Sequence, residues 1–251
     1  MIKSFIEFIY EKNGKDESRF IQYSRDIIKC IKDNDSPEGE YIEIRELEYN
    51  NEDQFDLVIQ IKRESRPNFK TDSHFKSLSW EEINFDQYGF ALDASIKIDK
   101  QDLIIPEITF TIIIDPTREP YLYTELNYRL IDVITHEIHH TNQIGWNREP
   151  FNVRPSSNVS RSKSKKSYKY FLLPDEIESM VKGMYIRSKA QGVSIDKIFD
   201  KYLIPFKMNG NISDSEYNQV LTQWVKHTLE NYPDAKLSIE DEKIKRIIDQ
   251  I

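Results

Sequence analysis

The pattern of apolar residues changes near Thr124 from one typical of strands to one typical of helices. Before that point, alternating or β-branched segments predict strands at residues 41–47, 55–61, 90–98 and 103–114. Polar residues separate the first two segments, so these are predicted to form an antiparallel hairpin. Strands that precede helices in this way predict an α+β fold, with an antiparallel or mixed sheet in the N-terminal part.

Helical spacing of apolar residues dominates the C-terminal part and also occurs once near the N-terminus. It predicts helices at residues 17–33, 124–144, 174–190, 194–204, 213–231 and 238–250. With 251 residues and only 7 glycines, the sequence does not indicate long flexible linkers. We therefore expect a single domain, in which residues 1–123 form a helix and a sheet, residues 124–192 the central helices and residues 193–251 a further helical part.

The composition limits the partners and the compartment. A net charge of −8 gives no general attraction to nucleic acid or to an anionic membrane. Cys30 is the only cysteine, so no disulfide can form within the chain, which is typical of reducing compartments. The apolar start is short and is interrupted by Lys3 and Glu7, unlike a secretion signal or a membrane span. We therefore expect a cytoplasmic protein without a cleaved signal and without a membrane partner.

Residues 136–140 read His-Glu-Ile-His-His and fit the pattern H-E-x-x-H inside a predicted helix. At about 100° per residue, His136 and His140 lie roughly 40° apart and one turn apart, so both imidazoles can bind one metal ion. Two imidazoles on one helix face fit zinc, and Glu137 can reach a metal-bound water without being a ligand. The competing interpretation is a pair of hydrogen-bonded histidines without a metal.

The helix that carries this motif has an apolar stripe behind the two histidines. The stripe is formed by Ile131, Ile134 and Ile138, which predicts that the helix lies against the core. His139 falls to the other side of the helix face and is assigned to the rim or the surroundings of the site. Gln143 projects in the direction of the first histidine and is expected to face the cleft.

A third protein ligand is needed, because catalytic zinc sites use three. His74 and His227 fit ordinary core or surface positions better than ligand positions, which favours a carboxylate. The helix that starts at Pro174 offers Glu176 and Glu178, which point about 200° apart, so only one of them can reach the metal.

Two small residues on the same helix, Ser179 and Gly183, would let it approach the histidine helix closely. H-E-x-x-H followed by a helix with a glutamate beside a small residue resembles the gluzincin metallopeptidases, including phage- and virus-encoded proteins of this type. The resemblance covers residues 124–192. By this resemblance, Glu178, which precedes Ser179, matches the third zinc ligand, with Glu176 as the alternative.

The resemblance implies a zincin-like fold, in which the N-terminal sheet packs on the central H-E-x-x-H helix. It also implies a zinc-dependent peptidase with Glu137 as the general base and a peptide or protein substrate that can pair with the edge strand of the sheet. The residue that stabilises the transition state has no motif, and Tyr185 and Arg187 are the candidates. A phage or virus protein would lie in the host cytoplasm or the virion.

Two other functions are compatible with the sequence. The chain could bind a metal without cleaving peptides, as a structural or virion component that keeps the scaffold. Residues 154–169 hold six basic residues and no acidic one, which makes a nucleic-acid-associated protease the second alternative. A mobile surface loop is the simpler interpretation of that segment, and nucleic acid is not the favoured partner.

Overall fold

The computed structural model describes residues 5–48, 55–69, 78, 81–97, 107–143 and 168–249. The N-terminal part forms α1 (Phe5–Asp33), β1 (Tyr41–Glu48), β2 (Asp56–Arg63), α2 (Glu82–Tyr88), β3 (Phe90–Lys97), β4 (Glu107–Ile114) and α3 (Tyr123–Gln143). The C-terminal part forms α4 (Pro174–Gln191), α5 (Ile195–Met208), α6 (Asp214–Asn231) and α7 (Glu242–Ile248). A sheet followed by helices confirms the α+β prediction.

The four strands form one mixed sheet in the order β1-β2-β4-β3. β1 and β2 are antiparallel, which confirms the predicted hairpin, and β3 is antiparallel to β4. β2 and β4 are parallel, with Ile59 opposite Phe110. The edges of the described sheet are therefore β1 and β3. The β-branched β4 lies inside it, as is typical of strands in the parallel part of a sheet.

The sheet buries one face against α1 and α3. Tyr23 and Ile27 of α1, Phe110 of β4, and Ile134 and Ile138 of α3 line one shared apolar region. The apolar stripe that the sequence predicts on α3 is therefore buried against the sheet. The opposite side of α3 packs along α4.

The helices α5 and α6 pack around α4 through aromatic side chains. Trp224 of α6 is fully buried and meets Phe199 of α5 edge to face. Its indole N–H donates a hydrogen bond of 3.0 Å to the carbonyl oxygen of Phe171. Because Phe171 lies directly before α4, this contact fixes the place where the chain enters that helix.

Some elements differ from the sequence prediction. α1 begins at Phe5 rather than at residue 17, and α7 is shorter than predicted. No element is predicted at α2. Its sequence is polar and holds a single buried side chain, Phe85, so it shows no helical pattern of apolar residues. Most of the basic segment 154–169, His74 and the side chain of Gln143 lie outside the described residues. Among the described helices, none combines the length and the apolar character needed to cross a membrane.

Candidate metal centre

The candidate site lies where α3 and α4 run side by side in opposite directions. His140 near the end of α3 contacts Ser179 near the start of α4, whereas Asp132 contacts Arg187 near the end of α4. The close approach depends on Gly183, where an added Cβ atom would lie 2.5 Å from the carbonyl oxygen of Asp132. The small residues that the sequence marks on α4 therefore do let the two helices touch.

Three side-chain atoms meet at one end of this contact. The Nε2 atoms of His136 and His140 lie 3.0 Å apart, and Oε2 of Glu176 lies 3.6 Å from the first and 3.4 Å from the second. Ligands of a tetrahedral zinc ion, with bonds of about 2.0–2.2 Å, lie roughly 3.3–3.6 Å apart. These three residues, named the ligand group from here on, could therefore hold one metal ion.

Of the two glutamates that the sequence offers as the third ligand, the structure brings Glu176 to the two histidines and turns Glu178 away from them. The Glu176 side chain is 4% exposed and faces the two histidines. The Glu178 side chain is 46% exposed, and its Oε1 lies 3.2 Å from Nε2 of His139 instead. The physical reason is the helix period: Glu176, Ser179 and Gly183 follow at intervals of three and four residues and form one stripe toward α3, which Glu178 does not join.

The Glu176 carboxylate also supplies an independent indication of a cation. Its Oε2 atom is buried, and no hydrogen-bond donor within the described part of the chain reaches it. A buried carboxylate oxygen without a donor is costly, so such groups are normally paired or bound to a metal. The donor set of two imidazoles and one carboxylate matches that of catalytic zinc sites.

Glu137 stands beside the ligand group rather than within it. Its side chain is 12% exposed, and Oε1 lies 3.9 Å from Nε2 of His136. A carboxylate there can exchange a proton with a small molecule bound next to His136. His139 turns to the flank, where Nδ1 lies 3.5 Å from Nζ of Lys182, so the structure places it at the rim. His227 lies on α6, half-buried, and is not a member of the ligand group.

Tyr170, which the sequence analysis left in a loop, lies against the ligand group. It belongs to a 3-10 turn, Tyr170–Leu172, directly before α4. Burial raises the pKa of Tyr170 well above the ordinary value of a tyrosine. Three further effects raise it as well: the charge of Glu176, a hydrogen bond with that carboxylate and the charge of Glu137. The phenol therefore stays protonated at neutral pH and offers an O–H donor close to both carboxylates. A three-residue turn has no periodic pattern that could have assigned it to the site.

The structure does not bring the two candidates for transition-state stabilisation to this group. The hydroxyl of Tyr185 donates to the carboxylate of Asp234, at 2.8 and 2.7 Å from its two oxygens. The guanidinium of Arg187 is buried against Asp132 and Glu125, at 3.3 and 2.6 Å. At a rise of about 1.5 Å per residue, both lie more than roughly 13 Å along α4 from the glutamate of the ligand group.

A buried ionic group lies in the same contact between α3 and α4, two turns before His136. The guanidinium of Arg129 lies 3.2 Å from a carboxylate oxygen of Glu81 and 3.3 Å from one of Asp132. Burial raises the pKa of Glu81 to about 7, against the opposing effect of Arg129. Because Asp132 also accepts a hydrogen bond from Arg187, the group joins the start of α2 to both α3 and α4.

Comparison with protein-family models, with curated proteins and with solved structures gives no significant match. The resemblance to gluzincin metallopeptidases therefore stays a prediction. What the structure establishes is a largely buried group of two histidines and one glutamate, held by two helices in close contact, that could bind a metal ion.

Proposed function

We propose that this protein is a zinc-dependent metallopeptidase. The observation that carries the proposal is the ligand group, in which α3 supplies two imidazoles one turn apart and α4 supplies a buried carboxylate 3.4 and 3.6 Å from them. Catalytic zinc sites use such a set of three protein ligands and keep one position for water or substrate. Glu137 stands next to this set without belonging to it, which supports a role as the base for a bound water.

A zinc ion held by His136, His140 and Glu176 would supply a water molecule whose pKa is lowered toward neutrality. Glu137, which lies beside His136, would take the proton of a nucleophilic water and pass it to the leaving amine. The neutral hydroxyl of Tyr170, which is hydrogen-bonded to Glu176, would serve a carbonyl oxygen on which negative charge develops if its one proton turned from the carboxylate to that oxygen.

The position of β3 favours a peptide as the substrate. It is an edge of the described sheet, and an edge strand can pair with an extended peptide through main-chain hydrogen bonds. β3 also packs directly against α3. The backbone N–H of Leu92 in β3 already bonds the buried Glu81 carboxylate, which pairs with Arg129, so a peptide would have to pair with the other residues of this edge. An extended peptide added to β3 would therefore run along the helix that carries the two histidines.

The exchange Glu137→Gln tests the proposal. It removes the base, keeps the size of the side chain and leaves the ligand group unchanged. We expect the variant to bind zinc like the wild type and to cleave a mixed peptide library about 10²–10⁴-fold more slowly. Metal analysis after dialysis gives the zinc content, and mass spectrometry of the library gives the cleavage rate. A zinc-loaded variant that cleaves at the wild-type rate would refute the role of Glu137.

Glu178→Gln is the matched control. It makes the same chemical change on α4, one of the two helices that carry the site, but at a side chain that faces His139 and solvent. We expect its zinc content and its cleavage rate to equal those of the wild type. A wild-type protein that binds zinc and cleaves no peptide in the library would instead favour the non-proteolytic, metal-binding alternative.

A further inference from the structure

The hydroxyl of Ser179 lies between a backbone carbonyl and a ligand histidine. Its Oγ lies 2.8 Å from the carbonyl oxygen of Asp175, one turn earlier on α4, and 3.3 Å from Nδ1 of His140. Ser179 is fully buried. A buried hydroxyl in this position can donate to one neighbour and accept from the other.

The direction of these two hydrogen bonds follows from the donors and acceptors. A carbonyl oxygen can only accept, so the proton of Ser179 points to Asp175 in the shorter of the two contacts. The hydroxyl oxygen is then left to accept a hydrogen bond from the Nδ1–H of His140. A neutral imidazole that carries its proton on Nδ1 has its lone pair on Nε2.

We propose that Ser179 is a positioning residue that holds His140 in the Nδ1–H form, so that Nε2 is free to bind a metal. The inference rests on the proposed metal site and adds a residue to it. Nε2 of His140 is the atom that faces Oε2 of Glu176 at 3.4 Å, so the lone pair points into the ligand group. Ser179 is therefore more than a small residue that lets two helices touch.

The opposite form of His140 would hinder metal binding. With the proton on Nε2, the imidazole would direct an N–H at Nε2 of His136, 3.0 Å away, and the proton would have to leave before a metal could bind. Partners that fix the form of a ligand histidine typically change metal affinity about 10–100-fold when they are removed.

The first test measures the form of His140 directly in metal-free protein. Two-bond ¹H–¹⁵N correlation spectra distinguish a histidine protonated on Nδ1 from one protonated on Nε2. In the wild type, at a pH where His140 is neutral, we expect the Nδ1–H form. In Ser179→Ala we expect the Nε2–H form to gain population. A wild-type His140 that carries its proton on Nε2 overturns the proposal.

The second test compares zinc affinity in Ser179→Ala and Ser188→Ala, measured by competition with a chelating indicator. Ser188 is a buried serine on the same helix whose hydroxyl also donates to a backbone carbonyl, that of Tyr185, at 2.8 Å. Both variants lose one buried hydroxyl, so similar changes in the melting temperature of the metal-free protein are expected. Only Ser179→Ala is expected to weaken zinc binding, by about 10–100-fold.

Ser179→Thr provides a rescue, because threonine keeps a hydroxyl that can bond the carbonyl one turn earlier. We expect its zinc affinity to lie closer to the wild type than that of Ser179→Ala. Equal zinc affinities of Ser179→Ala and the wild type overturn the proposal. If the wild type binds no zinc, the proposed function fails, while the spectra of the metal-free protein still decide whether Ser179 sets the form of His140.

Discussion

The exchange Glu176→Gln is expected to have opposite effects on the protein with and without zinc. In the metal-free protein, Oε2 of Glu176 is buried and no donor within the described residues reaches it. A glutamine amide can donate a hydrogen bond to a histidine nitrogen at that place. Because a buried polar atom without a partner destabilises by about 1–3 kcal/mol, we expect the metal-free variant to be as stable as the wild type or more stable.

In the zinc-bound protein the same exchange removes one ligand. Closed four-ligand zinc sites bind with roughly 10–16 kcal/mol, so one ligand accounts for about 3 kcal/mol, which corresponds to a loss of about 100-fold in affinity. At saturating zinc, a 100-fold loss removes about 2.7 kcal/mol of stabilisation. For a chain of this size that lowers the zinc-induced rise in melting temperature by roughly 5–10 °C.

Thermal unfolding with a chelator and with zinc measures both effects on the same samples. The wild type and Glu178→Gln are expected to gain the same stability with zinc, and Glu176→Gln is expected to gain roughly 5–10 °C less. The two glutamates lie two residues apart on α4 and differ in direction and burial. Both exchanges remove one negative charge, so the pair controls for the general change in charge. Loss of the zinc effect in Glu178→Gln, together with its retention in Glu176→Gln, would refute the assignment of the third ligand.

Three further predictions concern the surroundings of the site. Gly183→Ala would place a methyl group 2.5 Å from the Asp132 carbonyl oxygen, so we expect a loss of about 1–3 kcal/mol in denaturant unfolding and weaker zinc binding as α3 and α4 separate. Burial raises the pKa of Glu81 from 4.5 to about 7, so the folded chain keeps a proton that the unfolded chain releases. Stability should therefore fall by roughly 2–4 kcal/mol as the pH rises from about 4.5 to about 7, and the fall should be absent in Glu81→Gln; an unchanged pH profile in that variant contradicts the prediction. Tyr170→Phe should lower cleavage roughly 100-fold with zinc retained, whereas Tyr168→Phe should not, and equal rates in the two variants would exclude Tyr170 from the reaction.

The parts of the site that depend on one helix were predictable from the sequence. The relation of His136, Glu137 and His140 follows from the number of residues per turn, and the structure places the three as that geometry requires. The same holds for the buried stripe on α3 and for the hairpin of β1 and β2, since alternation along one segment reports which side is buried.

The parts that depend on contacts between segments were harder to predict. The choice between Glu176 and Glu178 required the face of α4 that meets α3. That information was present in Ser179 and Gly183, which lie three and seven residues after Glu176 on one stripe. Glu178 is next to Ser179 in sequence but does not lie on this stripe, whereas Glu176 does. Tyr170 could not be placed in this way, because its position follows from the packing of the short turn that it starts.

The ionic group in the contact between α3 and α4 gives a reason why the ligand atoms hold their spacing. A slide of α4 by one residue would move Glu176 by about 1.5 Å and turn it by about 100°, which would remove it from the histidines. The same slide would separate Arg187 from Asp132, whose contact of 3.3 Å is buried. Breaking a buried ion pair costs about 3–5 kcal/mol, although an intact pair adds little stability of its own. The pair therefore acts mainly on the register of the two helices, and through the register on the distance of 3.4 Å between Glu176 and His140.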